Sequence, residues 1–165
     1  MNETQKQEVK PQEGKILELK PENIFTFPDG LPGFEKVKKF VILVNKEDAP
    51  FGRLAAVDHD LCFFVVDPWV LYPDYKPDID EEDLKKVGIS ARENTLILAI
   101  VNIPVGKPES STMNLTAPLL INSQQGLGKQ VIINNYKDFN SRHPVWQKEE
   151  ETDNEKSNTG NEIQS

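Results

Sequence analysis

The chain of 165 residues has one cysteine, two histidines and two methionines, and each scarcity narrows the functions open to it. With Cys62 alone, no intrachain disulfide can form, and the redox state of the compartment is left open. Cys62 lies in the apolar run Leu61 to Val66 and reads as a buried small hydrophobe rather than a reactive thiol. The histidines, His59 and His143, stand near neither Cys62 nor a serine in a nucleophile-elbow context, so no local motif supports a catalytic triad. Metal ligands are equally sparse. Asp58, His59 and Asp60 form a polar triplet between two expected strands, with no ligand series following, and read as a solvated turn. Gly126 and Gly128 lack the following Lys-Ser/Thr and helix of a phosphate loop. The chain is therefore expected to hold no metal or cofactor and to be no enzyme.

Long apolar runs are also missing. The longest, Leu96 to Val101, falls far short of the roughly 20 residues a membrane helix needs. The first residues, Met1 to Glu13, are polar and lack the apolar stretch of a signal peptide, so a cytoplasmic location is expected and the sequon Asn114-Leu115-Thr116 carries no glycan. Basic charge is in deficit: 19 Lys and Arg face 27 Asp and Glu, for a formal charge of -8 and a pI of 4.8. Direct grip on nucleic acid needs cations to neutralise phosphates, so such binding is not expected. An acidic surface suits a basic protein partner instead. Residues 147–165 carry six acids against two bases, net -4, or half the charge of the whole chain. Their only large apolar side chain is Ile163, too little to offset chain entropy, so this end is expected to be a disordered acidic tail, either a solubility device or a recognition arm.

Between the ends the dominant period is two, with β-branched residues clustered on it. Strands are expected over residues 15–19, 24–27, 40–44, 54–57, 61–66, 95–103, 113–121 and 130–133. About eight short strands separated by turn signals imply an all-β barrel or sandwich. Leu96, Leu98 and Ile100 alternate with Ile97, Ala99 and Val101, so that strand is expected to be central and buried on both faces. Pro118 puts an edge or bulge into the strand over 113–121, and 122–128 reads as the hairpin loop that follows. One short helix is expected near Glu81 to Val87. Asp80 would cap it, Lys85 and Lys86 close it, Gly88 stop it, and Leu84 and Val87 dock it on the sheet. The organisation expected is a polar extension over 1–13, a single all-β domain over 14–146 and the tail over 147–165.

Two proline-stiffened loops stand out. In the run from Phe25 to Phe34, Pro28-Asp29-Gly30 suits a type I turn, and Leu31-Pro32-Gly33 suits a type II turn with Gly33 at positive φ. The loop arrives prefolded with Leu31 near its tip, as a rigid corner or as a recognition surface. The second loop, Asp67 to Pro77, holds Trp69, Val70, Leu71, Tyr72 and Tyr75 among three prolines. Aromatic rings on a stiff loop lose little entropy on binding and are enriched at interface hot spots; the same rings could simply lid one end of the barrel. Candidate protein-binding residues are Asp29, Leu31, Phe34, Trp69, Tyr72, Asp74 and Tyr75, with Leu31, Trp69 and Tyr75 expected as exposed apolar tips. Arg142-His143-Pro144 reads as an anchor for the last ordered residues or as a cationic contact.

Phe25 to Phe34, Val65 to Ile79, Asn114 to Asn122, Gly128 to Ile132 and Arg142 to Pro144, in that order and spacing, resemble the flagellar assembly factor FliW family over roughly Gly14 to Trp146. The resemblance implies a small all-β protein, a monomer when free, that binds flagellin. It also implies that, once free of flagellin, the protein binds and antagonises the RNA-binding translational repressor CsrA. The chain departs from the family pattern at Phe51 to Ala56, where Arg53 and two alanines stand and the resemblance gives no support for a partner contact. The alternative reading is a β-barrel that binds or hydrolyses a small molecule. A closed apolar pocket would favour that alternative, and an open aromatic patch the adaptor.

Overall fold

Alternating apolar side chains on short segments close this chain into a seven-stranded barrel. The computed structural model describes residues 12, 16, 19–89 and 95–146. Its strands are β1 (Ile24–Thr26), β2 (Lys39–Val44), β3 (Phe51–Ala56), β4 (Cys62–Val66), β5 (Thr95–Asn102), β6 (Thr112–Met113), β7 (Leu119–Asn122), β8 (Leu127–Gln130) and β9 (His143–Pro144), with helices α1 (Pro68–Leu71) and α2 (Glu81–Lys86). The ring runs β4-β3-β2-β1-β8-β7-β5, and the pairing of β4 with β5 closes it. All of these pairs are antiparallel except β1 with β8, which meet in parallel at Thr26 and Leu127. Closure leaves the ring no free edge.

The barrel interior is filled by one face of each strand, including Phe25, Phe40, Ile42, Leu54, Val65, Leu96, Leu98, Leu119 and Ile121, none more than 1 % exposed. Phe27 and Phe40 meet edge to face with centroids 5.3 Å apart. Gly128 makes room for them: a Cβ there would lie 2.5 Å from the Phe27 ring.

β5 is buried on both sides, as its unbroken apolar run implies. Leu96 and Leu98 point into the barrel, while Ile97, Ala99 and Val101 point outward into a second core with Trp69, Tyr75, Leu84, Val87, Leu120 and Val131. That second core is roofed by α1, α2 and the segments around them. Asp83 of α2 pairs with Lys129 at 3.2 Å, and the Asn122 side chain donates to the Val87 carbonyl at 2.8 Å, so helix and hairpin are tied together.

Several expectations are corrected. The strand over 113–121 is two short strands, β6 and β7, because the Asn114 carboxamide oxygen accepts from the N–H groups of Thr116 and Ala117, both at 3.0 Å, and turns the chain before Pro118. The last barrel strand begins at Leu127 rather than Gln130, so the hairpin loop is shorter than 122–128. Arg142-His143-Pro144, read as an anchor or a cationic contact, is anchored by a short strand, β9, on β6. Asp80 caps α2 through its backbone carbonyl, which accepts from Asp83 and Leu84, with no side-chain cap. Cys62 is exposed: β4 alternates, and with Phe63 and Val65 turned to the barrel core, Cys62 and Phe64 face outward. The strand over 15–19 lies largely outside the described residues; within it, Leu19 donates to the Ile16 carbonyl at 3.3 Å, the spacing of a turn. The tail over 147–165 also lies outside the described residues. Gln12, from the polar extension over 1–13, is buried.

Candidate functional site

The corner between β1 and β2 is built as its turn residues dictate. The Gly30 N–H donates to the Phe27 carbonyl at 2.8 Å, and the Phe34 N–H to the Leu31 carbonyl at 2.7 Å, so two turns follow each other without a gap. Gly33 has φ +86, the left-handed value a type II turn requires. Gly30 has φ +66, and a Cβ there would lie 2.6 Å from the Glu35 backbone. The Glu35 carboxylate accepts from the Gly33 N–H at 3.0 Å, a bond that holds it below its ordinary pKa. The corner is therefore rigid, but its tip is turned inward. Leu31 plugs the barrel core at 2 % exposure, against the expectation of an exposed tip, because burial of its side chain is what the closed double turn permits. Asp29 and Phe34 remain outside, with Phe34 edge to face on Phe63 at 5.5 Å.

The Asp67 to Pro77 segment is not a bare loop. The Asp67 carboxylate accepts from the Trp69 N–H at 3.1 Å and caps α1, with Pro68 at its first position. Burial raises the Asp67 pKa, while that bond and one from Gln12 oppose the shift. Trp69 donates through Nε1 to the Tyr75 carbonyl at 2.7 Å, and the Tyr75 hydroxyl donates to the Leu115 carbonyl at 2.7 Å. Both rings are buried, at 5 % and 1 %, because their polar ends find partners inside the second core. This corrects the expectation of exposed tips at Trp69 and Tyr75. Tyr72 is half-buried, stacked on His143 with centroids 4.8 Å apart, and Phe139 meets both Tyr72 and Tyr75. The His143 Nε2 is buried with no hydrogen-bond partner, and burial lowers its pKa. Asp74 is exposed. Trp69, Tyr72 and Tyr75 are thus brought together, while Leu31 belongs to the other core.

The larger exposed feature lies on the outer wall of β1 to β4, which the second core does not cover. Register sets Ile24, Val41, Ala55 and Cys62 in one row across the four strands, and Leu43, Arg53, Phe64 and Val101 in the next row across β2 to β5. Ile24 is 48 % exposed and Phe64 44 %. Beside them an open groove of about 1000 Å³ is lined by Leu43, Phe51, Arg53, Phe64, Ile103 and Trp146, among others. Trp146, half exposed, is held by Phe51 at 6.2 Å and by its Nε1 donating to the Pro108 carbonyl at 3.1 Å. None of these residues is a sequence candidate. The signal was present in Leu61 to Val66, where six apolar residues in a row on a short strand put apolar side chains on both faces.

Among the described residues, no group of three or more His, Cys, Asp or Glu side chains could hold a metal ion, and no helix is long and apolar enough to cross a membrane. Fold and surface together define a small closed all-β barrel whose interior is packed with side chains and whose apolar surplus faces outward. The family model described as FliW protein matches residues 8–145. The flagellar assembly factor FliW of Thermotoga neapolitana is 40% identical over 128 residues, covering 77% of this chain and 85% of the relative. That of Thermoanaerobacter pseudethanolicus is 40% identical over 132 residues, covering 79% and 87%. A crystal structure of the flagellar assembly factor FliW superposes with a TM-score of 0.70 at 30% identity, covering 79% of this chain and 90% of that one. The chain belongs to the FliW family of flagellar assembly factors.

Proposed function

We propose that this protein is a non-enzymatic, cytoplasmic binding protein. It is held by flagellin and, when flagellin leaves, binds and antagonises CsrA, so that flagellin synthesis follows flagellar assembly. The observation that carries this reading, beyond family membership, is that the apolar surplus lies on an open outer wall instead of around an internal cavity. The barrel interior is occupied by side chains with essentially no exposure, which leaves little room there for a small-molecule ligand and weighs against the alternative of a ligand-binding or hydrolytic barrel. The formal charge of -8 supports a basic partner such as an RNA-binding protein, with association that quickens at low salt.

Of the candidate contacts we read Asp29, Phe34, Tyr72 and Asp74, which keep exposed surface, as direct contacts, and the buried Leu31, Trp69 and Tyr75 as residues that hold the loops in shape. The described part is read as one working unit that is a monomer when free.

Calorimetric titration of the purified protein with flagellin, with CsrA, and with CsrA after saturation by flagellin tests the reading. Binding to each alone, and loss of CsrA binding in the third titration, is expected. Binding to neither protein would overturn it.

A further inference from the structure

We infer that His143 is an acid-released latch: a proton added to its ring detaches β9 from β6 and frees the chain from Arg142 to Trp146. The attachment is short. β9 pairs only through His143 with Met113 and Pro144 with Thr112, at the end of the strand order, so among the described residues no strand holds its other edge. Just beyond it the Val145 N–H donates to the Ser111 carbonyl at 3.0 Å, the Val145 side chain is buried, and the Trp146 indole is tied to Pro108.

The ring of His143 stacks on Tyr72 with centroids 4.8 Å apart and planes 12° apart, and its Nε2 is buried without a hydrogen-bond partner. A neutral imidazole tolerates such a site, because it can carry its hydrogen on Nδ1 and leave Nε2 bare. The protonated ring cannot. Both nitrogens then carry hydrogen, and the one on Nε2 meets no acceptor. An unpaired buried N–H costs more than a typical hydrogen bond contributes, and a two-residue strand has few such bonds to set against it.

No neighbouring group neutralises the added charge. The acids on the segments around Tyr72 and Phe139, Asp74 and Asp138, are exposed, as are Tyr136, Lys137 and Arg142. Tyr75 has its hydroxyl on the Leu115 carbonyl, and β6 brings only Thr112 and Met113. The Tyr72 face attracts a cation and so opposes release. Loss of hydration at the buried nitrogen works the other way, and burial holds His143 below its ordinary 6.5. Above 6.5 the ring is neutral whether β9 is docked or free. As pH falls through 6.5 the freed form takes up its proton first, so docking weakens, with the loss complete below the lowered docked value. On the reading above Tyr72 is a partner contact, so release of its stacking partner would reshape that contact as well.

The test is a titration of the full chain from about pH 7.5 to about pH 5 by heteronuclear NMR, with His59→Gln alongside to assign the two histidine rings. The His143 ring is expected to titrate below 6.5, and on the same curve the Val145 amide loses its protection from exchange and the Trp146 indole signal shifts, while the amides of β2 keep theirs. His143→Phe keeps a flat ring on Tyr72 but takes no proton, and is expected to abolish that loss; His143→Gln serves in its place if the phenylalanine variant does not fold. A ring that titrates at 6.5 or above, a Val145 amide that stays protected while the ring titrates, or a loss that persists in a folded variant would each overturn the latch. No partner takes part, so the function proposed above stands or falls separately.

Discussion

Asp67 sits at 1 % exposure where β4 becomes α1, a carboxylate held out of water by the task of capping a four-residue helix. Burial raises its pKa above the ordinary 3.8, so the ionised form is less favoured in the folded protein than in the unfolded chain. The sign of the linkage follows. Below 3.8 the residue is protonated in both states and costs nothing. As pH rises from there through the raised folded value, the unfolded chain ionises first and stability falls, with the loss constant above. An Asp67→Asn variant keeps an oxygen for the Trp69 N–H and removes the charge. Its melting temperature relative to the parent is expected to improve as pH rises from about 3 through the raised folded value and then to level off, as measured by melts from about pH 3 to pH 7. A flat difference would mean that Asp67 titrates alike in both states.

β5 shows how an element can be completed by something other than a strand. β4 pairs with it only from Ala99 to Val101, because Pro68 then takes the chain away into α1. At the vacated position Gln12 serves as a substitute rung: its Nε2 donates to the Ile97 carbonyl at 2.6 Å, and its Oε1 accepts from the Ile97 N–H at 2.8 Å. The same side chain bonds Asp67, so one residue ties the seam to the start of α1. Gln12→Ala would leave a buried N–H and a buried carbonyl unpaired and is expected to cost about 2 kcal/mol or more. For a chain of this size that is a fall of roughly 4–8 °C in melting temperature, measurable by scanning calorimetry. Composition could not reveal this role. A glutamine in a polar stretch looks like solvent-facing chain until the ring it closes exists.

On the scale of the whole molecule, charge and apolar surface are separated. Half of the formal charge lies in residues 147–165, outside the described part, while the outward positions of β1 to β4 carry two charges, both cationic, Lys39 and Arg53. Deleting 147–165 would take the formal charge from -8 to -4. Because that segment has almost no core-forming residues, its removal is expected to leave the melting temperature within about two degrees. The on-rate for a basic partner should nonetheless fall, and its salt dependence should become shallower. Stopped-flow association with CsrA at low and moderate salt checks this. An unchanged salt slope would place the steering charge on the barrel itself.

By itself, the sequence determined what depends on near neighbours along the chain. The two turns at Phe27 to Phe34, the stop of α2 at Gly88 and the two-faced burial of β5 are consequences of local φ/ψ preference and of period-two alternation, both legible in one dimension. The class of the fold followed from the same pattern, while the family followed from the resemblance of five segments in order, Phe25 to Phe34 through Arg142 to Pro144. Tertiary structure alone decided which apolar side chains are left outside. Leu31, Trp69 and Tyr75 looked like exposed anchors and are buried, since each found a core or a carbonyl far away in sequence, as Tyr75 does at Leu115. Phe64 and Trp146, which no local pattern marked as surface, stand exposed. A barrel has one inside, and with α1 and α2 on the second core beside β5, no helix among the described residues covers the wall of β2 to β4; that outcome depends on ring closure and strand order, which no local pattern encodes.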